Sequence, residues 1–485
     1  MKILNYSQIK AADQFTIENE PISSIDLMER ASVRFTESIF ELVHDFSSYH
    51  IIAGKGNNGG DGLAIARLLH DQGKKVRLSI IDISSNASAD FQINYERLPS
   101  AIEVSHIQEA KQLEYQPEEV IIDAIFGVGL DRPLAGEFKN IIDRINEFNA
   151  FVVSVDMPSG LFCDQSNQGT SMIKADWVFT FQTPKLSLLL PENHIWIKHW
   201  KVIDIGLHPQ YFDSISTHYS YQEKNDFTGW IAKPEKFSHK GSHDKALLIT
   251  GSKSMPGAGL LSTEACLRTG IGYLYQVNEA VREMTLTQFP SCIFQDYVEH
   301  ISFDAAGIGS GLGQEPEYVE QLDQLLDQNK PMVIDADAIT YFEKNPEWFK
   351  RLPANSIFSP HPGELKRLIG EWRNDFEKLE LTQKFCSQYK TTLIIKGAHS
   401  VIVTPEHFYF NSSGNPGLAK AGSGDVLTGL LTRFLAHFKN AEKAARFAVF
   451  YHGYIADQLI DEFGIEGMLP SDLAEHAGRF LKGFY

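Results

Sequence analysis

The sequence predicts an α/β protein of two domains, and three observations carry that expectation. Short β-branched runs alternate with longer segments of helical spacing from Ile51 to about Ile205; a polar, aromatic stretch from Gly206 to about Lys245 interrupts them; and the alternation then restarts, ending in helical segments after Gly424. A chain of 485 residues also exceeds what one hydrophobic core usually serves, and two domains are the preferred division.

In the first half the runs VRLSIIDI, EVIIDAIFG, FVVSVDMP and WVFTF read as strands of βαβ units, which gives a Rossmann-like three-layer domain around a parallel sheet. Ahead of them, Tyr6 to Phe46 carries apolar residues at helical spacing and predicts one or two helices on or beside the sheet. In the second half ALLITGS, AAGIGSG, PMVIDAD, SIFSPHP and TTLIIKGAHSVIV repeat the α/β pattern. No internal repeat joins the halves.

With 43% hydrophobic and 22% charged residues the chain has the composition of an ordinary globular protein with a substantial core. Its net charge of −18, from 62 acidic against 44 basic residues, repels phosphate backbones and anionic lipid, so neither nucleic acid nor a membrane is an expected partner. A nucleotide remains compatible, because backbone N–H groups at a helix start attract phosphate locally. Cys163, Cys266, Cys292 and Cys386 are scattered without metal-ligand spacing and read as buried or incidental thiols. The opening MKILNYSQIKAADQF lacks the apolar core of a signal peptide, and no later stretch is long enough to span a bilayer, so a reducing cytoplasm is the expected location. Small molecules are the expected ligands and a homo-oligomer the expected assembly.

The first chemical motif follows SSYHIIAG: Lys55-Gly56-Asn57-Asn58-Gly59-Gly60-Asp61-Gly62, then the amphipathic LAIARLLHDQG. Strand, glycine loop and helix make a phosphate cradle, in which Gly56, Gly59, Gly60 and Gly62 allow positive φ and close backbone approach. A plain tight turn is the competing reading. The run is neither GxGxxG nor a Walker loop, and its asparagines and aspartate offer ligands for a sugar hydroxyl or a hard cation. Asp123, and Asp156 with Ser159, close two further strands, where carboxylates of an open α/β sheet face the ligand crevice. A capping aspartate is the alternative for each taken singly.

AGKGNNGGDG, IDAIFGVGLDRPLAGEF, SVDMPSG and FQTPKLSLLLPENH, in this order, resemble the NAD(P)H-hydrate epimerase family over residues 1–215. The resemblance implies that Asn57, Asn58, Gly59, Gly60 and Asp61 hold the dinucleotide together with Gly127, Val128, Gly129, Leu130, Asp131, Arg132 and Pro133, and that Asp156 contacts it. It implies potassium at Asn58, Asp123 and Ser159, an oxygen-only set that suits a hard cation. The implied reaction interconverts the R and S hydrates of NADH and NADPH at the hydroxylated ring carbon. That chemistry needs a proton acceptor and a charge-stabilising group. Asp156 is the candidate acid/base, and Lys185 is either a second catalytic group or a surface lysine.

Near the other end, Asn415 to Asp425 reads NPGLAKAGSGD and precedes the apolar helix VLTGLLTRFLAHF. Gly422, Gly424 and the helix start form an anion hole, and Asp425 is placed to take a proton from a substrate hydroxyl while a phosphoryl group is transferred. A structural turn with a capping aspartate is the alternative. AGSGD resembles the ribokinase-like fold. HKGSHDKALLITGS, GAGLLSTEACLRTGIG, DADAI, SPHPGEL, KGAHSVI, HGYIAD and MLPSDL narrow that to a resemblance to the ADP-dependent NAD(P)H-hydrate dehydratase family over residues 226–485.

This second resemblance implies that Ala258, Gly311 and His361 meet the hydrated nicotinamide nucleotide, with Asp425 at its hydroxyl, and that Lys396, Gly397, Ala398, His399, Ser400 and Gly424 line ADP. The implied reaction gives AMP and phosphate, with Asp425 activating the hydroxyl to attack a phosphate. His361 is otherwise a turn residue before Pro-Gly. Asp335 and Asp337 hold magnesium-bound water or merely end their strand. Lys420 stands where the family has a small or hydroxyl residue and either faces phosphate or points to water; Ser423 stands where threonine is common. A ribokinase-like small-molecule kinase and a non-catalytic nucleotide sensor are the competing functions.

Overall fold

The computed structural model of the chain describes residues 1–42 and 46–485. It divides into two compact units, Met1–Tyr219 with Asn374–Phe376, and Ser220–Arg373 with Glu377–Tyr485. The helical expectation for Tyr6 to Phe46 becomes two helices, Tyr6–Asn19 and Ser24–Leu42, and positions 43–45 lie outside the described residues.

The first unit is built on seven strands: β1 (Ser48–Ala53), β2 (Lys75–Ile81), β3 (Glu103–Ile107), β4 (Glu119–Ala124), β5 (Phe151–Val155), β6 (Ala175–Phe181) and β7 (Ile197–Ile203). They form one parallel sheet in the order β3-β2-β1-β4-β5-β6-β7. Successive side chains leave a strand on opposite faces, so Ile51 and Ile122 pack with Phe35 and Leu63 in one layer while Ile52 and Ile121 pack with Ile141, Ile142 and Ile145 in the other. The strand order reverses direction between β1 and β4, which opens a crevice beyond their carboxyl ends.

The second unit carries β8 (Tyr219–Gln222), β9 (Lys245–Ile249), β10 (Tyr273–Gln276), β11 (Ile293–Phe294), β12 (Ala305–Ile308), β13 (Met332–Ile334), β14 (Ile357–Phe358), β15 (Thr392–Ile395), β16 (Val401–Val403) and β17 (Phe408–Asn411). Their order is β11-β10-β9-β12-β13-β14-β15-β16-β17-β8. The sheet is parallel from β11 to β15 and antiparallel from β15 to β17. TTLIIKGAHSVIV is therefore a hairpin, with its loop at residues 396–400. The helix Ser423–Phe438 is buried continuously from Val426 to Ala436. It fits because glycines face it: a Cβ on Gly307 would lie 2.1 Å from Thr432 Oγ1, and one on Gly429 would lie 2.2 Å from the carbonyl oxygen of Ser262.

Helix Asn57–Asp71 begins inside the glycine motif, so the expected loop is the first turns of a helix. None of Gly56, Gly59, Gly60 and Gly62 has positive φ, and the sequence expectation is corrected there. Close packing is the reason for three of them. A Cβ would stand 1.8 Å from the Gly54 oxygen at Gly59, 2.9 Å from Met28 Sδ at Gly60 and 2.6 Å from Ala124 Cβ at Gly62. Among the described residues no helix is long and apolar enough to cross a membrane, and all four cysteines are buried and unpaired.

Gly429 and Gly257 both lie in helices, and nothing stands within 4 Å of a Cβ built on Gly257. Gly429→Ala is expected to lower the unfolding free energy by about 1–3 kcal/mol through overpacking, while Gly257→Ala leaves it unchanged or raises it by up to about 1 kcal/mol. Urea unfolding of the two variants side by side checks the difference.

Candidate functional site

In the first unit a cavity of about 560 Å³ opens at the crevice between β1 and β4. Asn57, Asn58 and Asp61 reach it from the helix after β1, and residues Gly127, Val128, Gly129 and Leu130 from the loop after β4. Asp156 follows β5, Thr183 and Lys185 follow β6, and Tyr6, Ile9, Asp13 and Ile17 come from the first helix. Gly59, Gly60, Asp131, Arg132 and Pro133 do not line the cavity. The Gly60 N–H donates to the Gly56 oxygen inside the helix, and Asp131, Arg132 and Pro133 are exposed. The N–H groups of Asn57, Asn58 and Gly59 precede that first helical bond, and among the described residues none of them has a backbone acceptor before the helix.

Asp156 adopts φ 63°, a left-handed conformation rare outside glycine, and its Oδ1 accepts from Lys185 Nζ at 2.7 Å, Phe181 N at 3.0 Å and Thr180 Oγ1 at 3.2 Å. Lys185 is fully buried, which removes the surface-lysine reading, and it also donates to the Phe181 oxygen at 2.7 Å. Burial, reinforced by the charges of Asp156, Asp13 and Asp90, pushes the Asp61 carboxyl well above its ordinary value. Asp13 is pushed up to about 6 by burial and by Asp156, with Lys185 opposing. Asp13 is the residue the motifs did not reveal. The available signal was its position between Ile9 and Ile17 on one helix face, where a carboxylate interrupts an apolar stripe.

Asp123 is fully buried and accepts from Ser154 Oγ at 2.8 Å, Ser159 N at 2.8 Å and Ser159 Oγ at 2.5 Å. All these donors are neutral, and burial raises its pKa. The Asn58 amide nitrogen is buried without a hydrogen-bond partner, and the assignment of amide N and O is interchangeable. A buried carboxylate with neutral donors only and a serine hydroxyl against it, and a buried amide on the helix after β1 with no partner, are oxygen donors of the kind a potassium ion takes.

In the second unit the helix Ser423–Phe438 starts at Gly422, whose φ of 101° only glycine adopts freely, and Asp425 sits in its first turn. Ser423 N and Asp425 N are taken by the Lys420 and Gly422 oxygens, which leaves Gly424 N open among the described residues. A Cβ on Gly424 would lie 3.6 Å from Lys396 Nζ, so the start of the helix faces that ammonium. Burial and the charge of Asp335 push Asp425 up to about 6, against the pull of Lys396.

Asp335 accepts four donors: Lys396 Nζ at 2.6 Å and Ser359 Oγ at 2.9 Å on Oδ1, Thr428 Oγ1 at 3.0 Å and Ser310 Oγ at 3.2 Å on Oδ2. These contacts tie Asp335 to Lys396 and Ser310 and orient both. Asp337 accepts Gly313 N at 2.8 Å. Among the described residues no three His, Cys, Asp or Glu side chains converge as a metal cage.

Ser310 leads to Gly311, where a Cβ would be 2.6 Å from that of Ala258, so these two substrate candidates touch. His361 caps the helix Pro362–Ile369, Nδ1 accepting from Gly363 N at 3.0 Å, and its half-exposed ring pairs with Glu364 at 3.0 Å. Gly397 and Ala398 are exposed, while Ser400 Oγ donates to the Gly397 oxygen at 3.1 Å. His399 turns inward to the Asn411 oxygen at 3.1 Å, and burial lowers its pKa. Lys420 donates its ammonium to the Ile465, Glu466 and Met468 oxygens beyond the kink at Gly464.

Residues 246–479 match the NAD(P)H-hydrate dehydratase family, and residues 24–187 match the family described as YjeF-related protein N-terminus. The bifunctional NAD(P)H-hydrate repair enzyme of Thermofilum pendens is 30% identical over 519 aligned residues, covering 99% of this chain and 96% of that protein. Its counterpart in Escherichia coli is 29% identical over 94% of this chain and 89% of its own length. A ribokinase-like superfamily protein from Enterococcus faecalis superposes with a TM-score of 0.51 and 25% identity, covering 56% of this chain and 98% of its own. With such relatives aligned from end to end, the chain belongs to the bifunctional NAD(P)H-hydrate repair enzymes, an NAD(P)H-hydrate epimerase and dehydratase in one polypeptide.

Proposed function

We propose that residues 1–215 epimerise the R and S hydrates in the cavity around Asp156, with potassium at Asn58, Asp123 and Ser159, and that residues 226–485 dehydrate the S form with ADP through Asp425. The observation that carries the second part is a carboxyl titrating near neutrality at a helix N-terminus, beside an ammonium that Asp335 holds in place. Asp425 takes the proton of the substrate hydroxyl, whose oxygen then forms a bond to the terminal phosphorus of ADP. The P–O bond to AMP breaks with its electron pair on AMP, and Lys396 with the Gly424 N–H meets the charge that develops. Phosphate then leaves carbon with the C–O pair, the ring nitrogen's lone pair forms C=N, and loss of the neighbouring C–H proton restores the dihydropyridine. Magnesium would arrive with the nucleotide phosphates.

In the first unit the open N–H groups of Asn57, Asn58 and Gly59 suit the pyrophosphate. Potassium supplies a fixed positive charge at Asp123. Asp156, oriented by Lys185 and the Phe181 N–H, accepts a proton at the hydroxylated carbon.

Mixed R and S NADH hydrate, incubated in potassium buffer, is expected to regain its 340 nm absorbance completely with ADP and not without nucleotide; recovery of the S portion alone would overturn the epimerase assignment. Asp425→Asn is expected to lower dehydration by about 10²–10⁴-fold, and full turnover in that variant would remove the proposed base. Because Asp425 works ionised and titrates at about 6, the dehydration rate falls as pH drops through about 6 and levels off above it. Replacing potassium by choline is expected to lower the thermal midpoint of the first unit, as loss of any native-state ligand does. Asp123→Asn, which carries no charge to neutralise, should make that midpoint insensitive to the ion.

A further inference from the structure

Turning over a hydroxyl-bearing carbon without net change requires a proton given and a proton taken. Asp156 has one oxygen filled by three donors, one of them an ammonium, which is the setting of a carboxylate that accepts. The donor must be another group on the cavity wall. Asp13 stands there, presented by the helix Tyr6–Asn19, and neither a hydrogen bond nor an ion pair is among the influences on its carboxyl.

We propose that Asp13 is the second acid/base residue of the epimerisation, working across the cavity with Asp156. The proposal rests on the reading that the first unit epimerises the hydrates. Water added to an enamine carbon next to the ring nitrogen can leave as it came. The C–O bond breaks with its pair on oxygen, the Asp13 proton completes the departing water, and the nitrogen lone pair forms C=N. Water then adds to the other face, the new C–O bond forms, nitrogen regains its pair, and Asp156 takes the released proton. One water leaves, one enters, and one proton passes from Asp13 to Asp156; the opposite inversion, or exchange through water in the cavity, returns it.

Asp61 also lines the cavity and is a poorer donor. Burial and the charges of Asp156, Asp13 and Asp90 all raise its carboxyl, and no ammonium is among the influences that oppose them. Lys185 draws Asp13 back to about 6, where a carboxyl both gives and regains a proton. The charged groups facing Asp13 are Asp156, Asp61 and Lys185, with Lys10 on its own helix. As pH rises through about 6 Asp13 loses its proton, so the epimerisation rate falls.

The test follows the R-to-S ratio by chromatography, without nucleotide, in the full-length protein. Asp13→Asn, nearly isosteric, is expected to lower kcat about 10²–10⁴-fold with KM little changed, to abolish the decline in rate above about pH 6, and to regain part of its rate as Asp13→Glu. Full kcat in Asp13→Asn, or a loss confined to KM with the decline intact, overturns the proposal. A second measurement needs no variant: in ¹⁸O-water the wild-type protein should place label in the hydroxyl with each inversion, and retention of the original oxygen overturns it. Wild-type protein that inverts nothing would instead refute the epimerase reading itself.

Discussion

Both sites depend on the same constraint, a helix seated so closely on its parallel sheet that only glycine fits at the contact. In the first unit this is at the helix start, where a Cβ on Gly59 would come 1.8 Å from the Gly54 oxygen; in the second it is along the helix body, where one on Gly307 would come 2.1 Å from Thr432 Oγ1. Contact at this range aims the unsatisfied N–H groups of the helix at the crevice beyond the sheet, where the strand-end carboxylates also stand. Move either helix outward by the thickness of a methyl group and Asn58 and Asp61 draw back from the cavity, or Asp425 leaves Lys396. Most glycines of the two motifs are therefore packing residues first, and their consequence is electrostatic.

Closing the crevice in this way buries carboxylates, and the protein meets that cost in three manners. Asp335 is given four donors including Lys396 and becomes a fixed brace. Asp156 is given Lys185 and two neutral donors on one oxygen. Asp123 is given hydroxyls and N–H groups only, which leaves its charge uncompensated or its proton retained. The first suits a structural part, the second a proton acceptor, and the third a cation site.

The fold class was legible in the sequence because parallel strands buried on both faces read as unbroken apolar runs, and helix starts carry glycine and aspartate at fixed places. Contact was less legible. NNGGDG reads as a glycine loop, a cradle or a tight turn, until one sees what lies opposite each glycine. Lys185 reads as a catalytic group or a surface lysine because burial is a property of the third dimension, and Lys420 as facing phosphate or water until the kink at Gly464 brings three carbonyls to it. Asp335 was ambiguous for the same reason: its donors come from residues 310, 359, 396 and 428, none adjacent in sequence. Asp13 lies outside every glycine motif, and only its interruption of an apolar stripe marks it.

A common arrangement then accounts for how one chain carries two proton-transfer chemistries. Each unit pairs a carboxylate tied to a lysine, Asp156 with Lys185 and Asp335 with Lys396, with a second carboxyl that burial and the first carboxylate's charge lift to about 6, Asp13 and Asp425 respectively. The lysine is what separates the members of a pair: it compensates its own partner fully and the neighbour only in part. Without it, each pair would be two like charges in one cleft, competing for a proton with nothing to decide which holds it. With it, the division of labour is set by which carboxylate the ammonium touches, so each lysine is a positioning residue for a proton as much as for a phosphate.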